Sequence, residues 1–241
     1  MRKRPVPRTI TISILVSLTI GGCAYIGLFP LLVTLLLPGL TLGILISVWR
    51  LPWTQRAFTK NRVRQRFLDQ VYRSGGFVED EEVKDRVTRV GQRVALAAGH
   101  SYDAIEFCVV NDQYIYAYAY PLTQIAAISK GMYEDFRNDD ELASVLAHEV
   151  AHICMVGKTG HLPATLEESR AHESNADQLA VEFVTRAGFN PRAFAQCFWR
   201  YMGYRFRADG NIHNEQETTH PSTLKRIAMI NMAIGRLGYL R

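Results

Sequence analysis

The segment His148-Glu149-Val150-Ala151-His152 sits inside an apolar run whose periodicity is helical. Residues four apart lie one turn above each other on a helix face, so both imidazoles can reach one metal ion. Glu149 follows the first histidine and leans toward the same point, where its carboxylate can take a proton from a bound water. A catalytic zinc takes three protein ligands and keeps one open position, so the chain must fold to bring a third ligand to this helix. HExxH is short enough to arise by chance, and its companions decide its meaning.

The first companion is Glu173-Ser174-Asn175-Ala176-Asp177, which begins 21 residues after His152. Residues 166–185 around it read as an amphipathic helix, with Ala171, Leu179, Ala180, Phe183 and Val184 available for packing. Glu173 and Asp177 are again four apart and share a face. One carboxylate can bind the metal while the other accepts a hydrogen bond from a ligand histidine and fixes its tautomer. Small Ala176 lets this helix pack close to the HExxH helix. Alone, the run of Glu167, Glu168, Glu173 and Asp177 would read as a solvated acidic face; placed shortly after HExxH, it reads as a ligand helix.

The second companion is Thr219-His220-Pro221-Ser222, followed by Arg226. Pro221 suits the first turn of a helix, and Leu224, Ile227, Ala228 and Ile230 supply its packing stripe. His220 at the entrance of that helix can point back into a cleft and stabilise a transition-state oxyanion.

In this order, HEVAH, ESNAD and THPSTLKR resemble the M48 family of metallopeptidases, across residues 79–240. The resemblance implies a helix-dominated α+β gluzincin-type domain with a small, mainly antiparallel sheet and one zinc ion per chain. It implies His148, His152 and Glu173 as zinc ligands, Glu149 as general base and Asp177 as the carboxylate behind a ligand. His220 resembles the histidine that contacts substrate or transition state, and Arg226 the arginine that follows on the same helix. Tyr116, Ala117, Tyr118 and Ala119 occupy the place of the family's substrate-binding edge strand. Two features depart from the family pattern. Tyr116 replaces an asparagine, and Leu122-Thr123-Gln124 replaces a glycine pair at the strand turn. The connection from His152 to Glu173 is also short.

Charge divides the chain sharply. Residues 1–68 contain ten Lys or Arg and no Asp or Glu, which leaves 18 basic and 23 acidic residues in 69–241, a net of −5. The basic balance therefore belongs to the N-terminal part and points to anionic membrane lipids. It excludes a nucleic-acid partner, because the remainder carries no basic patch with interleaved aromatics. Residues 9–49 hold no charge at all, and a bilayer core needs about 20 apolar residues per helix. Breakers at Gly21-Gly22, Pro30 and Pro38-Gly39 allow a turn, and both flanks are basic. A two-span hairpin with both ends on the cytoplasmic side satisfies the positive-inside rule. The alternative is a cleaved signal whose Ile20-Gly21-Gly22-Cys23 resembles a lipobox, leaving a periplasmic protein lipidated at Cys23. The organisation expected is a basic N-terminus at 1–8, a transmembrane hairpin or anchor at 9–49, a basic juxtamembrane helix or linker at 50–78, and the metallopeptidase domain at 79–241.

Four cysteines form no CxxC pair and no disulfide framework, and they read as small buried hydrophobes of a reducing compartment. Cys154, two residues past His152, falls on another side of the helix. His100, His161 and His213 lack motif context and read as surface residues. The pattern predicts helices over 56–73, 79–98, 139–156 (stopping at Gly157), 166–187, 191–207 and 221–237, with strands over 105–110, 115–120 and 124–129. The function expected is a membrane-anchored zinc endopeptidase of membrane or envelope protein quality control, acting on protein or peptide substrates. The alternative is a catalytically silent, chaperone-like or adaptor protein of the same fold.

Overall fold

The computed structural model describes residues 52–209 and 223–238. The expected spans at 9–49, Cys23, His213 and His220 lie outside them. By its internal contacts the chain divides into two units, Met1–Thr59 and Lys60–Arg241. Among the described residues no helix is long and apolar enough to cross a membrane. Helix α1 (Pro52–Arg73) and α2 (Glu81–Ala97) precede the strands β1 (Glu106–Val110), β2 (Ala117–Tyr120) and β3 (Ile125–Ser129). There follow α3 (Lys130–Asp135), α4 (Asp139–Thr159), α5 (Leu166–Arg186), α6 (Arg192–Asp209) and α7 (Thr223–Arg236).

The sheet runs in the order β1-β3-β2, with β3 parallel to β1 and antiparallel to β2. It is therefore mixed, where the sequence pointed to a mainly antiparallel sheet. Residues 121–124 are enough for a hairpin turn, but β3 then inserts between β2 and β1, and propensity says nothing about which strand takes the centre. The turn closes on Gln124, whose φ of 57° is left-handed. Its side-chain amide donates to the Pro121 carbonyl at 2.7 Å, which offsets part of the strain of that conformation.

All five residues of β3 are buried, and their alternation sorts them onto two faces. Ile125 and Ala127 face Phe67 and Val71 of α1, while Ala126 and Ile128 join the main core with α2 and α4. Helix α2 presents Val87, Val90, Gly91, Val94 and Ala95 to that core at helical spacing. A Cβ on Gly91 would stand 2.5 Å from the Phe107 ring, so only glycine lets α2 lie against β1 this closely.

Helix α4 is the central element, with 12 of its 21 residues buried. Asn138 caps it by accepting from the Glu141 backbone N–H, and Asp139, Asp140 and Glu141 suit the positive end of the helix dipole. The helix passes through the expected stop at Gly157 and ends at Gly160, whose φ is 76°. A glycine within a helix costs only about 1 kcal/mol, so it stops the chain only where the left-handed turn is also made. Short α3 was not foreseen either: Ser129, expected only as a strand end, also caps it through the Met132 N–H.

Helix α5 opens on a reciprocal capping box between Thr165 and Glu168. Ala180, Phe183 and Val184 are buried as expected, whereas Ala171 is exposed because its face of α5 points away from α4. On α7 the stripe is Ile227, Ile230 and Ile234; Leu224 and Ala228, expected inside, are exposed. A 3.6-residue period is satisfied by the isoleucines alone, and neighbouring apolar residues fall off the face.

An ion network ties α6 to the start of α4. Arg200 donates to Asp135 at 2.6 Å and to both oxygens of buried Glu141 at 2.9 and 2.6 Å. The Arg137 backbone N–H adds a bond to Glu141 at 2.9 Å.

Candidate metal centre

Helices α4 and α5 pack together through small residues. Ala147 and Ala151 on one and Ala176 and Ala180 on the other are wholly buried, which lets the backbones approach. That approach brings two four-residue pairs face to face. The Nε2 atoms of His148 and His152 lie 3.0 Å apart. Glu173 places Oε1 3.2 Å from His152 Nε2 and Oε2 3.5 Å from His148 Nε2. One ligating atom from each of the three residues fits within 4.8 Å of the others.

A second layer surrounds these groups. Asp177 Oδ1 lies 3.1 Å from His148 Nδ1, at ion-pair distance on the side of the ring away from Glu173. Arg226 binds both Asp177 oxygens at 2.8 Å and lies 3.1 Å from Glu173 Oε2. Its guanidinium also stacks over the Phe198 ring at 4.4 Å. Arg226 therefore reaches the two carboxylates from α7 at once.

Charge and protonation describe what the cluster accepts. Burial presses His148 toward its neutral form, but Asp177 and Glu173 outweigh it and raise its pKa to about 10. His152 is pushed the other way, by burial first and by its neighbour His148 second. Burial also works against Asp177, yet Arg226 and His148 hold it below the usual carboxylate range. Among the described residues, Glu149, Glu173 and Asp177 are buried with one buried guanidinium, Arg226. A bound metal would displace the proton that His148 carries, and with both histidines neutral these four groups sum to −2, the charge a divalent cation cancels. Two imidazoles and a carboxylate form a donor set that suits zinc and leaves a fourth position open. The residues present fit the metal.

The remaining expected residues fall as follows. Glu149, 6% exposed, stands on α4 beside His148. Tyr116 precedes β2, its backbone N–H donating to Ser129 Oγ and its hydroxyl to Asp112. Ala117 and Ala119 turn into the core and Tyr118 turns out, on a strand whose second edge has no partner among the described residues. Cys154 meets His100 instead of the cluster, with Sγ 3.1 Å from Nε2. His100 is thus half-buried, not a surface residue as expected, because the turn after α2 folds it over α4. His161 is exposed. One residue was not singled out at all: His172, whose ring stacks on His152 with centroids 4.9 Å apart. A helix that sets Glu173 beside one nitrogen of His152 sets its neighbour beside the other, and that geometric consequence was the available signal.

Residues 81–162 and 155–234 match the profile of Peptidase family M48. The chain is 22% identical over 170 residues to the putative beta-barrel assembly-enhancing protease of Vibrio cholerae, covering 54% of this chain and 35% of that protein. It is 28% identical over 176 residues to the mitochondrial metalloendopeptidase OMA1 of Schizosaccharomyces pombe, covering 60% and 51%. The corresponding Arabidopsis thaliana protein is 25% identical over 156 residues, covering 53% and 31%. The chain thus spans a third to a half of the length of the curated relatives it matches.

Proposed function

This chain belongs to peptidase family M48, and from the convergence of His148, His152 and Glu173 we propose that it is a membrane-anchored zinc endopeptidase. His148, His152 and Glu173 would hold the ion, one per chain. Zinc, when bound, supplies a Lewis acid that makes water a nucleophile near neutral pH. Glu149 accepts the proton of the attacking water and returns it to the departing amine nitrogen. Asp177 orients His148, and Arg226 holds Asp177 and Glu173 in place. His220 donates to the oxyanion of the transition state. An extended substrate pairs with the open edge of β2, with Tyr116 and Tyr118 beside it.

The anchor is residues 9–49, with the basic residues on either side contacting anionic headgroups. The site would then face the cytoplasm. Lipidation at Cys23 would place it in the periplasm. The relatives' names, one an assembly-enhancing protease and others mitochondrial metalloendopeptidases, support substrates among damaged or misassembled membrane and envelope proteins.

The single observation that carries this reading is the three-ligand convergence beside Glu149. Purified wild type should contain one zinc per chain and hydrolyse casein. Glu149→Gln should keep the zinc and lose about 10²–10⁴-fold or more of the turnover. Near-normal turnover in that variant rejects Glu149 as the base. A folded, zinc-loaded wild type without hydrolysis would favour the chaperone-like alternative. Reporter fusions after residues 8 and 75 should both read as cytoplasmic, and a periplasmic reading at 75 would move the site to the envelope side.

A further inference from the structure

His172 belongs to none of the three motifs, yet it touches the centre more closely than most residues that do. It precedes Glu173 on α5, and its ring lies against His152 with an interplanar angle of 13°. The two Nδ1 atoms are 3.0 Å apart, a hydrogen-bond distance. His152 turns its other nitrogen, Nε2, toward His148 and Glu173. An imidazole that gives the lone pair of Nε2 to a metal carries its proton on Nδ1, and that N–H needs an acceptor. For His148 the group nearest that nitrogen is Asp177, with Oδ1 3.1 Å from Nδ1. For His152 the atom in that position is His172 Nδ1.

An N–H facing Nδ1 requires a lone pair there, so His172 must be neutral with its own proton on Nε2. The structure fits that tautomer. The His172 Nε2 is buried without a hydrogen-bond partner among the described residues, so no donor there forces the proton onto Nδ1.

We infer that His172 is a positioning residue of the metal centre: as a neutral acceptor it holds the Nδ1–H of His152 and thereby aims Nε2 at the metal. This rests on the metal-centre reading above. The two ligand histidines are then held unequally, His148 by an anion and His152 by a neutral ring. A second carboxylate in place of His172 would add negative charge to a cluster that one divalent cation already balances.

The test is zinc affinity of the full-length protein, measured by competition with a chromophoric chelator. His172→Leu removes the acceptor and should raise the zinc Kd about 10–100-fold, the usual cost of losing a partner behind a ligand. His172→Phe keeps a stacking ring without an acceptor and should lose as much. His172→Asn returns an acceptor oxygen near the place of Nδ1 and should recover most of the affinity. An unchanged Kd in the leucine variant, or full affinity in the phenylalanine variant, overturns the inference while leaving the metal centre intact. A folded wild type that binds no zinc overturns both, and His152→Ala, which should lose the metal, marks that difference. Nitrogen-15 NMR of the zinc-loaded wild type reads the same point without any variant. His172 should show the Nε2–H tautomer, and an Nδ1–H signal there overturns the inference.

Discussion

Helix α4 carries two buried polar clusters, and each is reached by an arginine from a later helix. At its N-terminal end each Glu141 oxygen receives donors, from Arg200 and from the Arg137 backbone N–H. About two turns further on, three possible metal-ligating side chains face one another. Two Nε2 atoms stand 3.0 Å apart with the Glu173 carboxylate beside them, and Arg226 does not balance the three carboxylates nearby. The first cluster is closed by donors from the protein itself. The second gathers two imidazoles and a carboxylate within ligand reach of one point, a set that could hold a metal ion. Burial alone therefore does not distinguish a brace from a binding site. The balance of donors and acceptors does.

Crossed substitutions break this comparison most directly. Glu173→Gln should weaken zinc binding more than the 10–100-fold that an outer partner costs, while the thermal unfolding of the metal-free protein changes little. Glu141→Gln should do the reverse. It leaves Arg200 with Asp135 as its remaining carboxylate and should destabilise the fold by about 1.5–3 kcal/mol, the worth of a hydrogen bond to a charged group, with zinc stoichiometry kept. Metal content and denaturant unfolding of both variants decide it. Equal loss of stability in the two would mean that the second cluster is also a brace.

Acidity sharpens the same contrast. Burial raises the Glu141 pKa, but Arg200 and the Arg137 N–H outweigh it and hold the carboxyl below its usual 4.5. A depressed acid contributes stability that is complete above its unfolded value and is lost as pH falls through the folded one. The advantage of wild type over Glu141→Gln should then be full at neutral pH and shrink progressively below about 4.5. Unfolding curves at a series of pH values measure this, and a constant gap down to pH 3 would contradict it. The smallest effect expected is at the cap. Asn138→Ala removes the acceptor for the Glu141 N–H and should cost about 1 kcal/mol, read as a lower unfolding midpoint with the slope unchanged.

Much of the helical framework was legible because its signals are local. Asn138 before three acidic residues, and Gly188 to Pro191 between two periodic stretches, mark ends with their own chemistry. Gly157 misled because a glycine only permits a left-handed turn, and here that turn is made at Gly160. Ala171, Leu224 and Ala228 misled because apolar character does not say which side of a helix meets the core. The parallel pairing of β1 with β3 was not legible, since strand order depends on which strand the helices leave at the centre.

The four-residue spacings in HEVAH and ESNAD were determined by the sequence itself, because a helix turns a spacing into a shared face wherever it forms. That the two faces meet was decided by the close packing of α4 and α5 at Ala151 and Ala176. So was the reach of Arg226 from α7 to two carboxylates, and the contact of His172 with the far nitrogen of His152. Those contacts join residues 20 to 53 positions apart. A side chain's chemistry is written at its own position, but its partner is chosen by packing, and packing is a property of the whole fold.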